Sequence, residues 1–106
     1  MLFMIDETQV EAEDTQRFLE AFETVFLPPA SKRGLELVAC WHTPPDIGED
    51  VTVTTIFQMR AWAHWDELRA RMFLEPSLPE WLELLESLRK SGTRNFYTPA
   101  SFSPLK

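Results

Sequence analysis

The order and period of the apolar residues predict an α+β domain built on a split β-α-β unit, and three observations carry that prediction. Two apolar runs, residues 35–43 and 51–59, flank a polar break containing Pro44, Pro45, Asp46, Gly48, Glu49 and Asp50, the pattern of a β-hairpin. Segments of helical period stand before and after the hairpin. Neither face of the hairpin is simply polar. The resulting order, β-α-β-β-α-(α)-β, is that of the ferredoxin-like fold, a four-stranded antiparallel sheet with its helices on one face.

Each element follows from local pattern. Residues 2–8 are apolar enough for a first strand, although Asp6 and Glu7 weaken its end. Thr8 stands three residues before Glu11, the spacing of a capping box, and Glu11, Glu13 and Asp14 suit the positive end of a helix. Phe18, Phe22, Val25 and Phe26 then share one helical face, and Pro28 with Pro29 should kink or end the helix. Lys32, Arg33 and Gly34 make a good terminus if the last turn recovers.

On the second strand, alternation places Leu35, Leu37, Ala39 and Trp41 on one face and Glu36, Val38, Cys40 and His42 on the other. On the third, Val51, Val53, Thr55, Phe57 and Met59 form the more apolar face, with Thr52, Thr54, Ile56, Gln58 and Arg60 opposite. From Trp62 the period becomes helical through Trp65, Leu68 or Arg69, and Met72. Pro76 interrupts. Ser77 and Glu80 form a second capping-box pattern, Pro76 and Trp81 are spaced as a hydrophobic staple, and Trp81, Leu84, Leu85 and Leu88 stripe the next helix. Gly92 is placed to end that helix, residues 94–98 form a last strand, and the proline-punctuated tail is extended.

Composition sets the outer bounds. A chain of 106 residues, 44% hydrophobic and 25% charged, is expected to form one globular domain over residues 1–106. Eight Phe and four Trp are more aromatic surface than one small core readily hides, so part of it is expected to meet a subunit or ligand. The formal charge of −7 repels phosphate backbones and anionic lipid, so neither nucleic acid nor membrane is an expected partner. No apolar run approaches the ~20 residues that span a bilayer, and the start, MLFMIDET, is too acidic for a secretory signal. The single Cys40 has no internal disulfide partner, which fits the cytoplasm.

A ferredoxin-like sheet covers one face with its own helices, so the apolar second face calls for another cover. A second copy of the chain, sheet against sheet in a two-fold homodimer, supplies it most economically.

The run RGLELVACWHTPPDIGEDVTVTTIFQM, the helix containing ELRARMFLEPSLPEW and the terminal YTPASFSP resemble the NIPSNAP family over nearly the whole chain. The strongest marks are Gly34, Trp41, Gly48, Arg71 and Pro79 to Trp81. The chain departs from the family pattern at Thr55–Ile56–Phe57–Gln58–Met59 and at Met4–Ile5–Asp6–Glu7, where polar groups are replaced. The resemblance implies a dimeric α+β barrel with a pocket between the sheet and helices of each subunit. It extends to a superfamily that includes cofactor-independent monooxygenases, haem-degrading enzymes and small-ring isomerases.

The candidate chemistry is sparse. His42 at the end of the second strand, His64 in the first turn of the second helical region and Arg60 at the end of the third strand are the candidate catalytic residues, two for proton transfer near neutral pH and one for clamping a carboxylate. Each also has an ordinary reading as a rim or surface group. Trp41, Thr55, Phe57, Trp62, Trp65, Trp81 and Tyr97 are the candidate substrate-binding residues, apolar walls with one hydroxyl, and core or dimer packing is the alternative for most of them. Cys40 and His42 share a face but lack the second pair that a metal site needs, and no dedicated metal or cofactor is called for. Nucleotide-loop, nucleophile-elbow and zinc-helix motifs are absent from the sequence. The expected function is binding, and on the enzymatic reading conversion, of a small apolar or aromatic metabolite by a monooxygenase- or isomerase-like route. The alternative is a non-catalytic metabolite-binding or protein-interaction module. An RNA-binding module has the same element order, but the third strand carries neither the basic residues nor the paired aromatics that RNA needs.

Overall fold

A computed structural model describes residues 1–44 and 49–105. Four antiparallel strands, β1 (Leu2–Glu11), β2 (Glu36–His42), β3 (Asp50–Met59) and β4 (Arg89–Tyr97), form one sheet in the order β2-β3-β1-β4. The helices α1 (Thr15–Ala21), α2 (Leu27–Lys32), α3 (Trp62–Met72) and α4 (Leu78–Leu88) complete the expected α+β, ferredoxin-like architecture. None of the described helices is long and apolar enough to cross a membrane.

The central strands obey the sequence alternation. Val51, Val53, Thr55, Phe57 and Met59 are all buried on the helix-facing side of β3, and Leu2, Met4 and Val10 join them from β1. Phe22 and Phe26 lie over Phe57, at ring-centroid distances of 6.2 and 6.1 Å, and Trp81 of α4 closes on Phe26 at 5.2 Å. These tilted and edge-on arrangements suit the ring quadrupoles and seal the centre of the core.

Several boundaries differ from the sequence expectation, each for a physical reason. β1 continues through Glu11 because β3 offers it a full ladder, with Thr8 opposite Val53 and Glu11 opposite Asp50. Thr8 is therefore a strand residue rather than a helix cap. Pro28 and Pro29 do not end the first helical region. A π-helical turn, Phe22–Phe26, precedes them, and the Leu27 N–H bonds to the Phe22 carbonyl, so helix geometry restarts at Leu27. Both prolines then occupy the first turn of α2, where an N–H is dispensable.

The helix ends where the sequence suggests. Gly34 N–H bonds to the Ser31 carbonyl at 3.1 Å and Leu35 N–H to the Ala30 carbonyl at 3.0 Å, the paired bonds of a Schellman motif. Gly34 supplies the positive φ of 98° that this motif requires. Ser77 does precede α4, but its hydroxyl donates to Glu75 and makes no cap bond, so the second capping box does not form. Gly92 does not terminate α4. The chain passes from Leu88 directly into β4, and Gly92 pairs with Thr8 inside the sheet.

Both edge strands carry a bulge. On β2, Leu37 pairs with Phe57 but Ala39 pairs with Ile56, leaving Val38 as the extra residue. Side chains directly opposite share a face, so Leu37, Cys40 and His42 face the helices while Ala39 and Trp41 lie on the open face. The single-face grouping of Leu35, Leu37, Ala39 and Trp41 is corrected accordingly. On β4, Ser91 pairs with Gln9 and Arg89 with Val10, so Lys90 is the extra residue. Its ammonium donates to Asp50 at 3.0 Å. Pro45, Asp46 and Gly48 of the hairpin break lie outside the described residues.

Phe57→Ala is expected to cost about 3–5 kcal/mol through the cavity it leaves. Gly34→Ala is expected to cost about 1 kcal/mol or more, because alanine must adopt a left-handed backbone. Urea unfolding should show both as lower midpoints with unchanged slope.

Candidate functional site

A cavity of about 290 Å³ lies between the sheet and the helices. Its apolar wall comes from Phe18, Phe22 and Phe26 on the first helical region and from Trp81 and Leu85 on α4. All five belong to the helical stripes that the sequence displays, and Phe22 and Phe26, at the two ends of the π-helical turn, stack at 5.2 Å. The sheet floor adds Thr55 of β3 and Thr8 of β1. Thr55 is buried, and its hydroxyl makes no hydrogen bond to the described residues, so it is available to a guest.

Charge is confined to one side. Asp6, Arg89 and Arg94 are the ionisable residues lining the cavity. Asp6 and Arg94 face each other across β1 and β4, and the Arg94 Nε and Nη2 donate to the two carboxylate oxygens at 2.8 and 2.9 Å. This two-pronged pair fixes the guanidinium, which also lies 5.3 Å from the centroid of Trp65. The Lys90 bulge sets the rest. Residues 89 and 94 would point to opposite faces of a regular strand, but the extra residue turns both toward the helices.

Of the residues singled out from sequence, Thr55 and Trp81 line the cavity. Phe57 lies beneath Phe22 and Phe26, fully buried. Trp65 stands behind Arg94 and packs on Phe96 at 5.5 Å, while Trp62 packs on the same ring at 4.7 Å from a solvent-exposed position. Trp41 and Tyr97 lie on the opposite, open side of the sheet, 63% and 50% exposed.

The three candidate catalytic residues stand apart from the cavity lining. His42 is exposed at the end of β2, its Nδ1 2.9 Å from the Thr43 carbonyl oxygen. His64 and Arg60 meet at the start of α3, where the Arg60 N–H donates to His64 Nδ1 at 3.4 Å. His42 pairs with Val53 near the beginning of β3 and Arg60 follows its end, so the two lie at opposite ends of that strand.

Asp6, Arg89, Arg94 and the phenylalanine row are cavity residues that sequence reasoning did not single out as a site. The phenylalanine stripe was visible but pointed only to a core face. The arginines were hidden because Gly92 looked like a helix terminus and a bulge has no sequence signature here. Cys40 faces the helices opposite Thr55, half-buried, and burial pushes its thiol above the ordinary value. No three His, Cys, Asp or Glu side chains converge as a metal site among the described residues.

A four-stranded antiparallel sheet with this strand order, one helical layer and a cavity between the layers defines a ferredoxin-like α+β protein. The NIPSNAP family model matches residues 9–104, and the chain belongs to that family. A NIPSNAP family protein of unknown function from Agrobacterium tumefaciens has a similar structure, with a TM-score of 0.84 at 22% identity over 100% of this chain and 94% of that one. An uncharacterized NIPSNAP domain protein from Burkholderia xenovorans gives 0.83 at 20% identity over 98% and 99%. A putative antibiotic biosynthesis monooxygenase from Nitrosomonas europaea shares the fold at 0.68 and 11% identity, over 93% and 98%. No curated protein gives a significant match.

The raised thiol of Cys40 holds less thiolate than an ordinary cysteine at any given pH on the acid side of its titration. Iodoacetamide labelling followed by mass spectrometry should therefore be slower for the native protein than for the denatured chain near neutral pH, the gap closing as pH rises through the native titration.

Proposed function

We propose that the protein works as a cytoplasmic homodimer, joined through the open faces of its sheets, that binds a small apolar or aromatic metabolite in the cavity of each subunit without a dedicated cofactor. The observation that carries this reading is the cavity itself: an aromatic wall from the helices faces a sheet floor with the unpaired Thr55 hydroxyl and a charged edge, so that an apolar body and polar contacts meet in one space. The dimer is supported by the sheet's second side. Phe3 pairs with Tyr97 and Ile5 with Ile56, and Ile56 also meets Ala39, so an apolar strip crosses all four strands beside exposed Trp41 and Val38. Such a strip facing water is a cost that a second copy removes. The single cysteine and acidic surface support a cytoplasmic setting without nucleic acid or membrane partners.

A second reading, conversion of that metabolite by a cofactor-independent monooxygenase- or isomerase-like reaction, is favoured by the likeness of fold to proteins called antibiotic biosynthesis monooxygenases. A protein-interaction module is the plain alternative to both. Incubation with candidate ligands and product analysis by mass spectrometry separates binding from conversion. Turnover that survives His42→Ala, His64→Ala and Arg60→Ala removes those three residues from the mechanism.

Sedimentation should find a dimer at micromolar concentration, and Ile56→Glu, which sets a charge at the centre of the open face, should give monomers; a monomeric parent protein overturns the dimer. Cinnamyl alcohol, an uncharged aromatic probe, should lose roughly tenfold or more in affinity when Leu85→Trp fills the cavity, while the His42, His64 and Arg60 variants change it by less than about twofold.

A further inference from the structure

The charges around the cavity do not balance. Asp6 and Arg94 neutralise one another at bidentate distance, and Trp65 and the Asp6 carboxylate together hold the Arg94 guanidinium in place. Arg89 is different. Its side chain makes no ion pair, hydrogen bond or ring contact with the described residues, in a chain where acidic residues outnumber basic ones by 17 to 10. It stands exposed at the mouth of the cavity while Phe18, Phe22 and Trp81 form the walls.

Its position is specified by the backbone rather than left to chance. The Lys90 bulge turns Arg89 toward the helix side, and the Asp50–Lys90 ion pair holds the extra residue outward. Gly92 gives it room, since a Cβ there would lie 3.2 Å from Arg89 Cδ and 3.5 Å from Nη1. The arginine therefore lies folded over a residue without a side chain, its fork at the cavity edge.

We propose that the ligand of this cavity is an aromatic carboxylate, its ring against the phenylalanine and Trp81 walls and its carboxylate on the Arg89 guanidinium. This rests on the cavity being the binding site and adds the ligand's charge. A planar guanidinium offers a carboxylate two parallel hydrogen bonds, and Arg89 has its fork free for them because Arg94 already occupies Asp6. Because Arg89 is exposed, its contribution is that of a charge-assisted bond at a wet rim.

Calorimetric titration with cinnamate and cinnamyl alcohol tests this, because the two differ in charge but little in shape. Cinnamate should bind roughly tenfold more tightly than the alcohol. Arg89→Gln should erase that advantage and leave the alcohol's affinity unchanged, and Arg89→Lys should restore part of it. Gly92→Ala, which crowds the arginine without altering charge, should weaken cinnamate alone. Equal affinity for both probes, untouched by Arg89→Gln, overturns the carboxylate inference while the aromatic cavity stands. Failure of both probes to bind overturns the cavity and the inference together.

Discussion

Two extra residues, one in each edge strand, govern what this sheet presents to its helices. Strand side chains alternate, so inserting a single residue inverts every assignment beyond it. Val38 does this on β2 and Lys90 on β4. Without the first, Cys40 and His42 would be outside and Trp41 inside. Without the second, Arg89 would point away from the cavity that Arg94 borders. The central strands have no bulge in their mutual pairing, and there the buried side follows the simple alternation of Val51, Val53, Thr55, Phe57 and Met59. Irregularity sits at the edges, where an unpaired backbone group can reach water.

The helical layer solves a related problem. The row Phe18, Phe22 and Phe26 has to cross onto the sheet just before two prolines that a continuous α-helix would not accept. A π-helical turn absorbs the mismatch, leaving the prolines in a first turn and the three rings over Phe57 and Trp81. The cavity lies beside this row, between the aromatic side chains of the helices and the Asp6–Arg94 pair and Arg89 of the sheet. Packing and site thus share residues: Trp81 and Phe22 are at once core and wall.

The division of the aromatic residues follows from this. Phe57 and Trp65 serve the core, Trp81 serves core and cavity, and Trp41 and Tyr97 belong to the sheet's other side, where an apolar strip is left without cover in a single subunit. His64 and Arg60 are local partners at the β3–α3 junction, and His42 caps the far end of β2. The charged groups that border the cavity come instead from β1 and β4, strands whose sequences are polar at those positions and whose register only the folded sheet reveals.

The amino-acid sequence by itself determined the α+β class, the order of elements, the buried face of β3, the Gly34 terminus and the excess of aromatic surface. These are written in short-range periods and in one residue's backbone freedom, which neighbours along the chain suffice to set. Only the tertiary structure decided where β1 and β4 begin and end, which face Trp41, Cys40 and Arg89 take, and which aromatics wall the cavity. Those outcomes depend on pairing between residues far apart in the chain, as with Asp6 and Arg94, and on single-residue bulges whose cost is repaid by a distant strand rather than by any local preference.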